Sequence, residues 1–165
     1  MATEIDKLLD SKFLKKKDAV HLVKQWKSEG KHVVFTNGCF DLLHPGHLNY
    51  LLEAANLGDK LVIGLNADAS VSRLKGPTRP VNNERNRAAI LAALYFVDMI
   101  VLFEEDTPLE LIQSLSPDVL VKGGDYNLGN IVGAREVLAN GGEVKVLKFL
   151  EGYSSSSLIA KIRQP

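Results

Sequence analysis

The chain has 165 residues, of which 45% are hydrophobic and 24% are charged, the composition of an ordinary globular protein. Lys and Arg together number 20, as do Asp and Glu, so the formal net charge is zero and gives no support to nucleic acid or an anionic membrane as the main partner. The one cysteine, Cys39, excludes an internal disulfide bond, and no apolar run approaches the roughly 20 residues that a membrane span needs.

The N-terminal segment is polar and rich in lysine. Residues 1–17 contain no apolar core of a signal peptide, so we expect a cytoplasmic protein. Residues 17–27 have apolar side chains at helical spacing, which predicts a helix that docks through Val20, Val23 and Trp26. We expect a single domain over residues 1–165, in which residues 1–29 form a helical extension.

Short apolar runs alternate with amphipathic segments over the rest of the chain. The runs predict five strands, at residues 33–35, 60–65, 99–103, 119–121 and 144–147. The amphipathic segments predict helices at residues 48–57, 83–93, 132–139 and 155–162, together with a helix that Thr107 caps and Pro108 begins. This alternation predicts an α/β fold, a Rossmann-like open parallel sheet of five strands with helices on both faces.

Polar segments follow three of the predicted strands, at residues 37–47, 66–68 and 122–126. In open α/β sheets, ligands bind beyond the carboxyl ends of the strands. We therefore expect these three segments to meet at one edge of the sheet and to form a binding site there.

The first of these segments favours an anion. It runs from a strand into a helix, whose first backbone N–H groups have no partner within the helix. Gly38 and Gly46 allow a phosphate to approach the backbone, and His44 and His47 are three residues apart, so both can point at one ligand. A histidine here is more often a cap or a surface residue, and two histidines are a thin ligand set for a metal. The strand, the glycines and the helix start together favour phosphate binding.

The segment His44-Pro45-Gly46-His47, which follows Gly38-Cys39-Phe40-Asp41, resembles the H-x-G-H signature of the nucleotidyltransferase superfamily. The serine run in residues 152–157 resembles a second signature, a hydroxyl run at the start of the last helix, with Ser in place of Thr. From about Gly30 onward the chain is similar to the adenylyltransferase domain of ADP-heptose synthases. The segments that carry this similarity are residues 74–82, 103–108, 121–126 and 140–144.

The resemblance implies an enzyme that joins AMP from ATP to D-glycero-β-D-manno-heptose 1-phosphate, with Mg²⁺ as cofactor. Its products would be pyrophosphate and ADP-heptose for lipopolysaccharide or a related glycan. Many members of the family carry a fused sugar kinase; this chain is too short to hold one, so we expect a separate kinase. The amphipathic N-terminal helix indicates either a homo-oligomer or a helix that covers its own domain.

The resemblance also implies a role for individual residues. His44, His47 and Lys75 are expected to stabilise the transition state; Gly38, Cys39, Phe40, Gly46, His47, Arg87, Gly124, Asp125, Ser154, Ser155 and Ser156 to bind the nucleotide; and Asp41, Asn66 and Arg79 to bind the sugar phosphate. No residue is expected to bind a metal directly.

Simpler interpretations remain open for several of these residues. Lys75 could be a solvated lysine, Arg87 could pair with Glu84 one helical turn away, and Asp125 could be a turn residue. Asp68 could cap a short helix that runs to Leu74. The serine run could be an ordinary helix cap, and Cys39 a small apolar filler.

Three other functions compete with adenylyl transfer. Glycerol-phosphate cytidylyltransferases carry an arginine where this chain has Phe149, which disfavours cytidylyl transfer. A dinucleotide-dependent oxidoreductase would need G-x-G-x-x-G after the first strand, and residues 38–46 do not supply it. The third alternative is a nucleotide-binding module without catalytic activity, which the retained histidines and basic residues disfavour.

Overall fold

The computed structural model describes residues 1–124 and 127–164. Within them, six strands form one sheet, in which every neighbouring pair is parallel. The strands are β1 (Phe13–Leu14), β2 (Val33–Gly38), β3 (Lys60–Asn66), β4 (Met99–Phe103), β5 (Val119–Gly123) and β6 (Glu143–Leu147). Their spatial order is β1-β4-β3-β2-β5-β6. The parallel α/β architecture predicted from the alternation is confirmed.

The predicted number of strands is wrong, because the sheet has six strands and not five. The additional strand is β1, in which Phe13 and Leu14 pair with Ile100 and Val101 of β4 at the edge of the sheet. Two residues are too short to show a period of two, and they lie inside a lysine-rich segment. The strand forms because β4 offers an open edge of backbone donors and acceptors that the N-terminal segment covers.

Eight α-helices and one 3₁₀ helix occur in the described residues. They are α1 (Glu4–Lys12), α2 (Lys16–Ser28), α3 (Pro45–Ala55), α4 (Asp68–Lys75), α5 (Glu84–Ala92), α6 (Leu109–Leu115), α7 (Ala134–Ala139) and α8 (Ser155–Arg163), with the 3₁₀ helix at Leu128–Asn130. The additional helix α1 begins with a capping box, in which Thr3 accepts from the backbone of Asp6 and the Asp6 side chain accepts in return. None of the described helices combines the length and the apolar character that crossing a membrane requires.

Helices pack on both faces of the sheet, as predicted. Leu9 of α1, Leu51 of α3 and Leu91 of α5 share one buried cluster with Ile63 of β3. On the opposite face, helices α2, α6 and α7 bury their apolar side chains against the alternate strand residues, including Phe35 of β2. Because successive residues of a strand point to opposite faces, one run of apolar residues supplies both clusters.

Two helix starts differ in detail from the prediction. Pro108 is the cap of α6 and not its first residue, and Thr107 makes no capping hydrogen bond. Helix α4 follows Ala67, so Asp68 is its first residue and not its cap. The helix predicted at residues 83–93 starts where expected, since Asn83 is the N-cap of α5 and its side chain accepts from the backbone N–H of Asn86.

Candidate active site

A cavity of about 550 Å³ lies at the carboxyl ends of β2, β3 and β5. All three polar segments contribute to its wall, as the position of ligands in open α/β sheets predicts. The residues predicted for the site that line this cavity are Gly38, Cys39, Phe40, Asp41, His47, Asn66, Lys75 and Ser155.

His44 and His47 form a stacked pair at the start of α3. Their ring centroids are 3.8 Å apart, and the ring planes are inclined by 20°. His44 caps the helix, because its Nδ1 accepts a hydrogen bond from the backbone N–H of His47 at 3.3 Å. A neutral ring that accepts at Nδ1 carries its proton on Nε2, so His44 presents an N–H donor.

Both histidines are neutral at physiological pH. Burial lowers the pKa of His44 below its ordinary value. Burial also lowers the pKa of His47 to about 4, with a smaller contribution from the nearby charges of His44 and Lys75. The pair is therefore neutral in this state of the protein and does not present two fixed positive charges.

The start of α8 meets the start of α3 beside this pair. The Ser155 hydroxyl donates to the carbonyl oxygen of Leu42 at 2.9 Å, and the Tyr153 ring lies 6.2 Å from the His44 ring. A Cβ on Gly46 would lie about 3.1 Å from both Tyr153 and the His44 ring, so the glycine permits this close packing. Two helix N-termini, each with a partial positive charge, thus converge on one place.

Phe40 adopts a left-handed backbone conformation with φ of 45°, which costs a non-glycine residue roughly 1–2 kcal/mol. Its ring lies against Gly38, where a Cβ would come within 2.9 Å of a ring carbon, and edge-on to His47 at 5.4 Å. The glycine therefore admits the aromatic ring, and the ring in turn packs against the buried histidine.

Asp41 fastens this loop to the segment that precedes α5. Its carboxylate is buried and accepts from Arg79 Nε at 2.6 Å, from the Val81 N–H at 2.8 Å and from the Asn82 N–H at 3.1 Å. Burial alone would raise the pKa of Asp41, but the hydrogen bonds from Asn82, Arg79 and Val81 outweigh it and lower the pKa. Arg79 keeps one buried nitrogen, Nη2, without a hydrogen bond to any described residue.

Arg87 is completely buried and does not line the cavity. Its three guanidinium nitrogens donate to the Asn82 carbonyl at 3.0 Å, the Cys39 carbonyl at 2.6 Å and the Asp68 carboxylate at 2.7 Å. The alternative partner, Glu84, instead accepts from the backbone N–H of Asp68. In this structure Arg87 supports the cavity from behind, since it holds the carbonyl that precedes Phe40.

The cavity carries positive charge without a carboxylate to match it. Lys75 and Lys122 both line it, and neither forms an ion pair with any residue that the structure describes. The two carboxylates of the lining, Asp41 and Asp106, are each paired with an arginine. Burial raises the pKa of the Cys39 thiol, so this side chain is a protonated wall residue and not a nucleophile.

The remaining predicted residues lie around the cavity or outside the described chain. Ser154 caps α8 through a hydrogen bond from the Ser157 N–H, and Ser156 follows in the first turn. Gly124, with φ of 114°, donates its N–H to the carbonyl of Leu147. Asp125 lies outside the described residues. Among residues 1–124 and 127–164, no group of three or more His, Cys, Asp or Glu side chains could hold a metal ion.

Tyr50, Phe149 and Lys122 are among the residues of the cavity wall that were not predicted as site residues. Tyr50 lies on α3 at the spacing of a core residue, and its hydroxyl oxygen is 2.6 Å from that of Thr36. Phe149 packs its ring over Gly123 and against Tyr50, with ring centroids 5.7 Å apart. Lys122 is the next-to-last residue of β5, and its position immediately before two glycines at a carboxyl edge is the signal that could have identified it.

Comparisons with known proteins agree with this architecture. The family model described as cytidylyltransferase-like matches residues 35–161. The bifunctional proteins HldE of Marinomonas sp. and Azorhizobium caulinodans are 53% and 55% identical to the chain over 148 residues, which is 90% of this chain. The chain spans 31% of the length of these curated relatives.

Two solved structures are also similar. One is a lipopolysaccharide core biosynthesis protein from Thermoplasma volcanium, with 30% identity and a TM-score of 0.59, over 76% of this chain and 100% of that one. The other, a pantoate-beta-alanine ligase from Francisella tularensis, has 14% identity and a TM-score of 0.62, over 93% and 80% of the two chains, and shares the fold. From the family match and the similarity along the full length of the Thermoplasma protein, the chain belongs to the cytidylyltransferase-like family.

Proposed function

We propose that the chain is a sugar-phosphate adenylyltransferase, which joins AMP from ATP to D-glycero-β-D-manno-heptose 1-phosphate and releases pyrophosphate. The observation that carries the nucleotidyl transfer is the stacked His44–His47 pair at two converging helix N-termini, beside a cavity that lacks compensating negative charge. The choice of heptose phosphate and ATP rests on the resemblance to ADP-heptose synthases. The identity of 53–55% with bifunctional HldE proteins supports that choice.

The proposed reaction is an in-line displacement at the α-phosphorus of ATP. An oxygen of the sugar 1-phosphate forms the new P–O bond, and the bond to the β-phosphate oxygen breaks, so that pyrophosphate leaves with its electron pair. The attacking phosphate is already ionised near neutral pH, so no general base is required. Catalysis is then a matter of positioning and of stabilising charge on the α-phosphate.

The chain's own groups suit this task. We assign the α-phosphate to the ring N–H groups of His44 and His47 at the start of α3. Lys75 neutralises triphosphate charge at the edge of the cavity. Mg²⁺ enters as part of the substrate MgATP, which needs few protein ligands because Mg²⁺ commonly keeps waters and phosphate oxygens around it.

The acceptor phosphate is assigned to the side of the cavity near Arg79. Asp41 holds this arginine in place, and its buried Nη2 has no hydrogen-bond partner among the described residues. Asn66 lines the cavity nearby and donates its amide to Ser70. In this proposal Asp41 acts on the sugar phosphate through Arg79 and not by direct contact.

The acceptor must itself be made by a kinase, since a sugar 1-phosphate is the product of phosphoryl transfer to a sugar. We propose that this kinase acts immediately upstream in the cytoplasm. Two statements remain predictions: that the kinase is a separate chain, and that this chain forms a homo-oligomer.

A second candidate function is cytidylyl transfer to a glycerol- or alditol-type phosphate, and the description of the matching family favours it. The two functions differ in the base that the cavity accepts. In this chain Phe149 forms part of the wall, against Tyr50, where cytidylyltransferases of the glycerol-phosphate type carry an arginine.

The deciding experiment measures pyrophosphate release with ATP, CTP, GTP and UTP in turn, each with Mg²⁺ and heptose 1-phosphate or glycerol 3-phosphate. We expect release only with ATP and the heptose phosphate. Release with CTP and glycerol 3-phosphate would move the chain to the second function. Nucleotide binding without release for any pair would favour a module without catalytic activity.

A further inference from the structure

Lys122 stands at the point where the order of the strands reverses. The chain builds β2, β3 and β4 in one direction across the sheet and then returns to place β5 on the other side of β2. Lys122 is near the end of β5, and Asn37 is near the end of β2, so the two residues flank the crevice between these strands. In doubly wound sheets this crevice is where ligands bind.

The ammonium group of Lys122 is only partly compensated by the protein. Its Nζ donates to Asn37 Oδ1 at 3.2 Å, and it has no carboxylate within ion-pair distance among the described residues. The half-buried Lys60 differs, since it pairs with Asp98 at 2.9 Å. Removing a cation from water without a counter-charge opposes folding.

Burial lowers the pKa of Lys122, which agrees with this geometry. An ammonium group has three N–H donors, and the contact with Asn37 uses one of them. The others are available to the cavity that Lys122 and Asn37 both line. The uncompensated charge fits an anionic ligand better than a neutral hydroxyl or amide.

We propose that Lys122, held by Asn37, binds a phosphate oxyanion of one of the two substrates and is a binding residue in addition to His44, His47 and Lys75. This assignment rests on the proposed function, since both substrates of that reaction carry phosphate. It places a lysine on each side of β2, with Lys75 at the end of α4, the helix after β3, and Lys122 near the end of β5. Phosphates held between them would be aligned across the crevice.

The test compares Lys122→Met, which keeps the length and removes the charge, with Lys122→Arg, which keeps the charge. Lys24→Met, at an exposed position of α2, is the matched control. Calorimetry measures the binding of MgATP, heptose 1-phosphate and inorganic pyrophosphate, and thermal unfolding is recorded for every variant. We expect Lys122→Met to weaken one substrate by roughly tenfold or more, while Lys122→Arg retains most of the affinity. The substrate whose binding is weakened is the one whose phosphate Lys122 contacts.

Thermal unfolding separates binding from a structural role. If Lys122 serves the ligand, Lys122→Met unfolds at the wild-type temperature or higher, because an uncompensated charge has been removed. A lower unfolding temperature, or unchanged affinity for all three probes, would overturn the proposal. If the wild-type chain turns over no heptose phosphate while Lys122→Met still loses affinity for MgATP or pyrophosphate, the proposed function fails and the assignment of Lys122 stands.

Discussion

At the residue scale, the two histidines depend on each other for their chemistry. His44 receives the backbone N–H of His47, which fixes its tautomer, and the stacked rings shield each other from water. Burial keeps both rings neutral, so in the proposed reaction a phosphate at His44 would meet an N–H donor that needs no change of protonation. The spacing in the sequence predicted the pair, but the stacking and the neutral state come from the packing of Phe40 and the start of α8.

Substitution of either histidine tests this account. We expect His47→Ala to lower kcat by roughly a hundredfold or more, because a preorganised donor to the α-phosphate is lost. His44→Asn should show a comparable loss, although asparagine preserves an acceptor at the helix cap. Steady-state pyrophosphate release gives kcat, and His21→Ala on the exposed side of α2 is the control. Near-normal turnover in both site variants would contradict the assigned role.

The lowered pKa of His47 predicts a dependence of stability on pH. In the unfolded chain this histidine binds a proton as pH falls through about 6.5, whereas the native residue does so only near pH 4. The unfolded state thus binds more protons in this window, so the contribution is fully present above about pH 6.5 and is lost as pH falls towards 4. In urea denaturation at several pH values, the free energy of unfolding should fall less steeply with falling pH for His47→Ala than for wild type. An equal pH dependence of the free energy of unfolding in the two proteins would contradict the lowered pKa of His47.

The contacts of partly or fully buried polar residues could not be predicted from the sequence. Arg87 was expected at a phosphate because its position in the family pattern is basic, yet a pattern does not reveal which carbonyls surround a side chain. Lys122 was not selected although it precedes two glycines at the carboxyl edge of β5, because the sequence does not show that no carboxylate lies beside it. In both cases the deciding information is the set of tertiary neighbours.

At the element scale, the loop after β2 is held from outside itself. Phe40 would not keep a left-handed backbone without support, and Asp41 and Arg87 supply it by tying the loop to the segment before α5. The sequence predicted that the three polar segments meet. It did not predict this fastening, because Asp41 and its partner Arg79 are 38 residues apart.

The fastening predicts a large loss of stability for Asp41→Asn. The substitution removes the buried partner of Arg79, and breaking a buried pair on one side costs about 3–5 kcal/mol. The free energy of unfolding should therefore fall by about that amount in chemical denaturation. Asp106→Asn, which breaks an exposed pair with Arg73, should change it far less. Equal effects of the two variants would show that the buried pair has no special importance.

The packing of the N-terminal helix α1 against the domain can be tested in the same way. Leu9 is 3% exposed and packs in the cluster that contains Leu91 of α5, so the helix is part of the packed structure. We expect Leu9→Ala to lower the free energy of unfolding by about 2–5 kcal/mol, as for other buried leucines. Ile5→Ala, at a side chain that is 57% exposed, should have little effect in the same denaturation experiment. A small effect at Leu9 would mean that α1 detaches in solution.

At the scale of the whole molecule, alternation of strand and helix was sufficient to predict the parallel sheet, the two covered faces and the edge that holds the site. These properties depend on periodicity, which the sequence displays directly. The sixth strand was not predictable, because β1 exists only where the finished edge of β4 receives it. The identity of the substrates depends on family resemblance, since a cavity that binds phosphate accepts many nucleotides and sugars.

The most direct test of the central claim is pyrophosphate release from ATP and Mg²⁺ in the presence of D-glycero-D-manno-heptose 1-phosphate, with the β- and α-anomers supplied separately. We predict release with the β-anomer only, in step with the appearance of ADP-heptose. Release with the α-anomer would retain the mechanism and change the substrate. A protein that binds ATP but releases no pyrophosphate with either anomer would contradict the proposed function.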